Sequence, residues 1–314
     1  MEEHVCFQKL RPLHYPLVRY HLWRGRRVSA FDFDCDIKRS ARLARLVDEG
    51  KVERIYIRPY TAEHGEAIDL VDRLYQDLKE RPLPRAAAAL LGDDAHLVFK
   101  KCLLERAFQR VYARRHLEAL TQGGARALFI PESRALAALQ SAAYALAALV
   151  QVATWAALSL AASIRPRREA ARVRQAIALD QTFQLKFQGR RSFDFLLDDA
   201  DLRREETVFL LNIPVSDSWR VPLERAGYRF LRAAGPSDLA REGARVPWAI
   251  LASSLRAAAS ALFSKAGLEE RQAFFRCLKA QLCWSAVHER VRFDHYIYAN
   301  REDSSQIALN AAMR

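Results

Sequence analysis

Residues 135 to 164 (ALAALQSAAYALAALVQVATWAALSLAASI) contain no charged side chain, and Arg165, Pro166, Arg167 and Arg168 follow at once. Roughly 20 apolar residues suffice to cross a bilayer as a helix, so length is adequate for a span. Composition is poorer, because alanine dominates, Gln140 and Gln151 interrupt, and alanine gains little from lipid compared with leucine or phenylalanine. Three readings stay open. A buried helical hairpin or long core helix suits an Ala-rich stretch, which packs closely. A helix lying in a membrane interface is supported by Trp155 and the basic cluster behind it. A true span would put the basic cluster in the cytoplasm and the N-terminal segment on the other side, whereas that segment has the pattern of a cytoplasmic α/β protein.

That pattern is an alternation of strand and helix signals. Arg27 to Phe31 is a short apolar run suited to a buried strand, and residues 37 to 48 place Ile37, Ala41, Leu43, Ala44 and Val47 near one helical face. Gly50 fits a helix C-cap, and residues 52 to 57 alternate as a strand does. A helix is expected from about 67 to 79, broken by Pro82 and Pro84; another from 97 to 120, ended by Gly123 and Gly124; then a strand from 127 to 130. Beyond the alanine-rich stretch, residues 193 to 197 and 207 to 213 read as strands, the second the strongest in the chain. A short helix capped by Gly227, a strand from 228 to 231, and helices over 247 to 263 and 268 to 289 follow, and the chain closes on a strand from Phe293, a polar turn and a helix. The expected fold is α/β with two parallel sheets. Its parts are an N-terminal α/β domain over 1–131, an Ala-rich helical segment over 132–190 and a second α/β domain over 191–314, cut short at its C-terminus because Arg314 falls in or just after a helix.

The formal net charge of +13 implies attraction to something anionic: nucleic acid, anionic lipid or a phosphate-bearing substrate. An Ala- and Arg-rich composition produced by a GC-rich genome would give the same charge with no partner at all. The five cysteines (Cys6, Cys35, Cys102, Cys277, Cys283) are scattered, with no C-x-x-C and no Cys/His cluster at zinc spacing, so a reducing compartment is expected and no metal site is assigned. The first residues lack the apolar core and cleavage site of a signal peptide, which makes the expected location the cytoplasm. Phosphate-loop, dinucleotide-fingerprint, serine-hydrolase and zinc-protease strings are absent.

Two polar turns carry candidate chemistry. Asp32-Phe33-Asp34-Cys35-Asp36 follows the first buried strand, where open α/β sheets bind ligands. It is similar to the D-x-D start of haloacid-dehalogenase-type phosphatases, which implies Asp32 as nucleophile and Asp34 as acid, with Mg²⁺. Asp36 departs from that pattern, no downstream Ser/Thr and Lys stations appear, and Asp93-Asp94 imitates the acidic pair only from a loop. A turn that simply caps the next helix explains the same residues. The second turn follows Phe293-Asp294-His295-Tyr296-Ile297 and reads Arg301-Glu302-Asp303-Ser304-Ser305. Backbone N–H groups at Ser304 and Ser305 would meet a phosphate at a helix start and Arg301 would add a bidentate cation, unless the turn is only a capped helix. His295 beside Asp294 is a candidate base; His288 and Glu132 are weaker ones.

The phrases RRSFDFLLDDADLRREETVFLLNIP, FDHYIYANREDSSQIALNAAMR and WRGRRVSAFDFD resemble parts of bacterial surface-carbohydrate biosynthesis proteins similar to glycosyltransferases with two Rossmann-like domains. The resemblance covers about half the chain and implies two Rossmann-like units joined by the alanine-rich insertion. It further implies a nucleotide sugar as donor substrate with no separate cofactor, a lipid-linked or glycan acceptor, and association with the anionic inner-membrane surface. In that family the donor domain is C-terminal. Three alternatives remain: a non-catalytic scaffold or partial subunit of the same pathway, a D-x-D phosphatase, and a basic nucleic-acid-binding protein. The last is disfavoured, because the arginines are spread along the chain among acidic neighbours without a reading motif.

Overall fold

The structure, a computed structural model, describes residues 3–31, 37, 40–55, 62–164, 170–179, 203–211, 221, 223–233 and 235–297. The chain forms two compact units: Met1–Arg81 with Phe99–Ala142 and Gly267–Glu269, and Pro82–Val98 with Ala143–Ala266 and Glu270–Arg314. Each is an α/β unit around a four-stranded, wholly parallel sheet.

In the first unit the chain runs β1 (Glu3–Phe7), α1 (Tyr15–Trp23), β2 (Arg27–Phe31), α2 (Ala41–Asp48), β3 (Val52–Ile55) and α3 (Ala62–Leu78). It returns along α5 (Ala95–Gln122) into β4 (Arg126–Ile130) and the start of α6 (Arg134–Ser163). The strand order is β3-β2-β1-β4. Side chains alternate across such a sheet, and both faces are covered. Val5, Phe7, Val28, Ala30 and Val52 join Val18, Leu43 and Leu46 on the α1 and α2 side. Cys6 and Phe31 meet Ala113, Leu117 and Phe129 on the α5 side. The α3 residues Ala67, Val71 and Leu78 pack on Leu103, Ala107 and Val111 of α5. Gly124, at φ 77, ends α5: Ala125 N–H donates to Leu120 O at 3.1 Å, turning the chain into β4.

In the second unit β5 (Ala171–Leu179), β6 (Thr207–Leu211), β7 (Arg229–Arg232) and β8 (Val291–Ile297) take the order β7-β6-β5-β8. Its helices are α4 (Pro82–Leu91), α7 (Pro236–Arg241), α8 (Trp248–Phe263), α9 (Leu268–His288) and the later turns of α6. All of β6 is buried, as its continuous apolar run predicts, and its Thr207 hydroxyl accepts from Gln175 Nε2 of β5 at 3.0 Å.

Several expectations need correction. β1 and β5, each central to its sheet, have no counterpart in the sequence reading; β5 lies inside the 132–190 stretch expected to be helical. Arg172 and Arg174 made it read as a charged segment, yet both are exposed on either side of the buried Val173, and Ala176 and Ile177 further along are both buried, as in an interior strand with one face solvated near its start. Pro82 and Pro84 do not break the pattern. They open α4, where the first-turn N–H groups have no helical acceptor in any case. The alanine-rich stretch is one continuous helix, so the hairpin reading is overturned. By length and composition α6 is apolar enough to cross a membrane, and a third of its most apolar window is buried. The strand expected at 193–197 lies outside the described residues.

Candidate functional site

The order of the first sheet creates the site. The chain adds β2 and β3 on one side of β1, then crosses back and adds β4 on the other. Loops leaving the C-terminal ends of β1 and β4 therefore run apart, and the crevice between them is where open parallel sheets hold ligands. A cavity of about 820 Å³ occupies that position, lined by Gln8 beyond β1, by Phe129, Pro131 and Glu132 at the end of β4, and by α5 and the start of α6.

Hydrogen bonds fix its floor. Gln8 N–H donates to Ile130 O at 2.9 Å, extending the β1–β4 pairing one residue past the strand, and Gln8 Oε1 accepts from Glu132 N–H at 3.0 Å. The Glu132 carboxylate is ion-paired with Arg11, at 21 % and 17 % side-chain exposure. With the Gln140 amide oxygen turned toward the guanidinium, Arg11 Nη1 also donates to it at 2.9 Å. Behind Arg11, its own backbone N–H donates to His14 Nδ1 at 3.1 Å, so that nitrogen is an unprotonated acceptor. Burial and the Arg11 cation hold the His14 pKa below the usual imidazole value, partly offset by Glu132. Glu132 is thus committed to positioning the β4–α6 turn and is a poor candidate for a free base.

The walls are cationic. Arg106, Arg110 and Arg114 lie four residues apart on one face of α5, and Arg134 opens α6. Arg106 is matched by Glu269, and Arg114 by Glu66 and, at 3.8 Å, by Glu118. Arg110 and Arg134 have no hydrogen-bond or ion-pair partner among the described residues. The first turn of α6 adds the partial positive charge of a long helix, capped by Ser133 Oγ accepting from Leu136 N–H at 3.4 Å. Two unmatched guanidinium groups over a crevice of this size suit a ligand carrying phosphate or another polyanion.

No family model, curated protein or solved structure matches this chain.

Of the residues picked out from sequence, five lie where no placement is described. Asp32 and Asp34, and Arg301, Ser304 and Ser305, lie outside the described residues, although the strands that precede them, β2 and β8, are described and end at Phe31 and Ile297. His295 sits within β8, an edge strand of the second unit, opposite Gln175 in register and exposed, as is Asp294. His288 is packed on rings, with centroids 5.9 Å from Trp284 and 5.6 Å from Phe293, a structural setting. Asp93 serves the turn into α5, its carbonyl accepting from His96 N–H at 3.3 Å. Glu132 alone among the candidates lines the cavity. Sequence reading missed Gln8, Arg110 and Arg134; the R-x₃-R-x₃-R spacing from Arg106 to Arg114 was a visible signal for the stripe.

A second polar cluster is buried under α5. His4 Nε2 lies 2.9 Å from Ser29 Oγ, which is 3.5 Å from His116 Nε2. Burial first, and His4 after it, lower the His116 pKa, with Glu53 opposing, and burial pushes the neighbouring Cys6 thiol up to about 11. Both shifts favour neutral groups, consistent with packing. Among the described residues no group of three or more His, Cys, Asp or Glu side chains is placed to hold a metal ion.

Proposed function

We propose that the chain is a glycosyltransferase-like protein of bacterial surface-polysaccharide assembly, acting in the cytoplasm. In this reading it has two Rossmann-like units, and the crevice between β1 and β4 holds a phosphate-bearing substrate. The observation that carries this is the pair of cations without a partner among the described residues, Arg110 and Arg134, at the point where the strand order reverses. The volume supports it, since small-molecule sites span about 300–1,000 Å³. In sugar transfer from a nucleotide-linked donor, an acceptor hydroxyl attacks the anomeric carbon and gives up its proton to water or to the leaving phosphate, while the bond from that carbon to the phosphate oxygen breaks and the nucleoside diphosphate departs. The protein's task is to stabilise charge growing on the departing phosphate, and the guanidinium groups together with a helix start supply the positive charge for it. The second sheet repeats the strand order of the first, β7-β6-β5-β8.

The experiment is thermal unfolding of the full chain with UDP, GDP, ADP, pyrophosphate and inorganic phosphate, followed by an assay of sugar-nucleotide turnover with membrane extract as acceptor source. Stabilisation by at least one nucleoside diphosphate beyond that given by phosphate is expected. If no phosphate compound raises the unfolding temperature, the reading fails; if only salt-sensitive binding to random DNA is found, a nucleic-acid binder replaces it.

A further inference from the structure

Helix α8 has an apolar outer face. Its buried residues Leu251, Ser254, Ala258 and Ala261 recur at helical spacing. Its exposed residues are Trp248, Ala249, Ala252, Leu255, Arg256, Leu262 and Phe263, so Arg256 is the single charge on a solvent side that a surface helix ordinarily fills with polar groups. Trp248 is 57 % exposed and Phe263 84 %. The later turns of α6 repeat the arrangement: Ala148, Val152, Trp155 and Ser159 are buried, while Val150, Leu160 and Ile164 are exposed. The two helices are joined within the second unit by Val246 N–H donating to Ser159 Oγ at 3.0 Å. That bond ties Val246, two residues before Trp248, to the turn of α6 that also carries Leu160.

Charge decides what would cover this face. Neither residues 134–168 nor residues 243–268 include an aspartate or glutamate. Arg256 of α8 and Lys265 just beyond it are exposed and have no partner among the described residues. A second copy would set these cations against their like on a chain of net charge +13. An anionic bilayer surface matches both features, since indole and phenyl rings settle at the headgroup boundary while Arg and Lys meet lipid phosphates. We propose that this face of the second unit docks on an anionic lipid bilayer, with Trp248, Phe263 and Leu160 inserted to headgroup depth. The helices lie on the surface and do not cross it, because the inner stripe of α6, Trp155 included, is committed to the protein interior. The inference is independent of the cavity's ligand.

Sedimentation of the full chain with phosphatidylcholine vesicles, with and without about 30 % phosphatidylglycerol, tests it. Binding to the anionic vesicles that weakens with salt is expected. The exposed double variant Trp248→Ser/Phe263→Ser should lower the partition coefficient by about tenfold or more with an unchanged melting temperature, and Arg256→Glu/Lys265→Glu should weaken binding to anionic vesicles selectively. Absence of binding to anionic vesicles, binding that neither variant reduces, or a dimer in solution that the aromatic variant dissociates would each overturn the proposal.

Discussion

Three arginines near one cavity should behave in opposite ways when removed. Arg110→Ala and Arg134→Ala delete groups that make no hydrogen bond or ion pair among the described residues, so the unliganded protein should change by no more than about 0.5 kcal/mol. Arg11→Ala leaves the Glu132 carboxylate, 21 % exposed, without its cation. Stranding one member of a fully buried pair costs about 3–5 kcal/mol; with a fifth of this carboxylate still wet, about 1–3 kcal/mol is expected. Ligand affinity should invert the ranking. A guanidinium bonded to phosphate contributes about 1.5–3 kcal/mol, so loss of Arg110 or Arg134 should raise the dissociation constant about 10- to 150-fold. Two guanidinium groups facing one anion couple, so the double variant should fall short of the product of the singles. Urea unfolding of the unliganded variants and calorimetric titration with whichever nucleoside diphosphate stabilises the wild type give the two rankings. Should Arg110→Ala destabilise the free protein as much as Arg11→Ala does, or leave affinity intact, the assignment of these arginines to a ligand is wrong.

Acid should weaken the fold before its carboxylates titrate. The folded-state pKa values of His14 and His116 lie below 6.5, chiefly through burial. The unfolded chain therefore binds more protons than the native one as pH falls through 6.5, so stability drops from there and levels off only below the folded values. Urea midpoints measured from about pH 7.5 to about pH 5.5 should decline, and His116→Gln should flatten the slope; a midpoint that rises on acidification contradicts the sign. Cys6, with no exposed surface and a thiol pushed up to about 11, should resist iodoacetamide in the folded protein and react on unfolding. Peptide mass spectrometry reads this directly, and prompt labelling under native conditions would show the first sheet to be open.

Local pattern alone was enough to place the elements with strong periodicity. The apolar run of β6 and the heptad-like spacing of α5, α8 and α9 bury their faces wherever the chain goes, and Gly124 and Gly227, both at φ 77, end their helices by backbone geometry that needs no tertiary partner. Strand order is different in kind. Whether β4 joins the free edge of β1 or of β3 depends on where α3 and α5 find apolar surface, and the short apolar run from Val5 to Phe7 carries too little pattern to mark β1 as central. The cavity inherits that dependence: Gln8, Arg110 and Arg134 lie more than a hundred residues apart in part and meet only because the chain crosses back over the sheet. The sequence by itself determined an α/β chain of buried strands and amphipathic helices with an excess of arginine. Only the tertiary structure decided which arginines found carboxylates among the described residues and which line the crevice between β1 and β4, because charge matching is a property of side chains brought together in space.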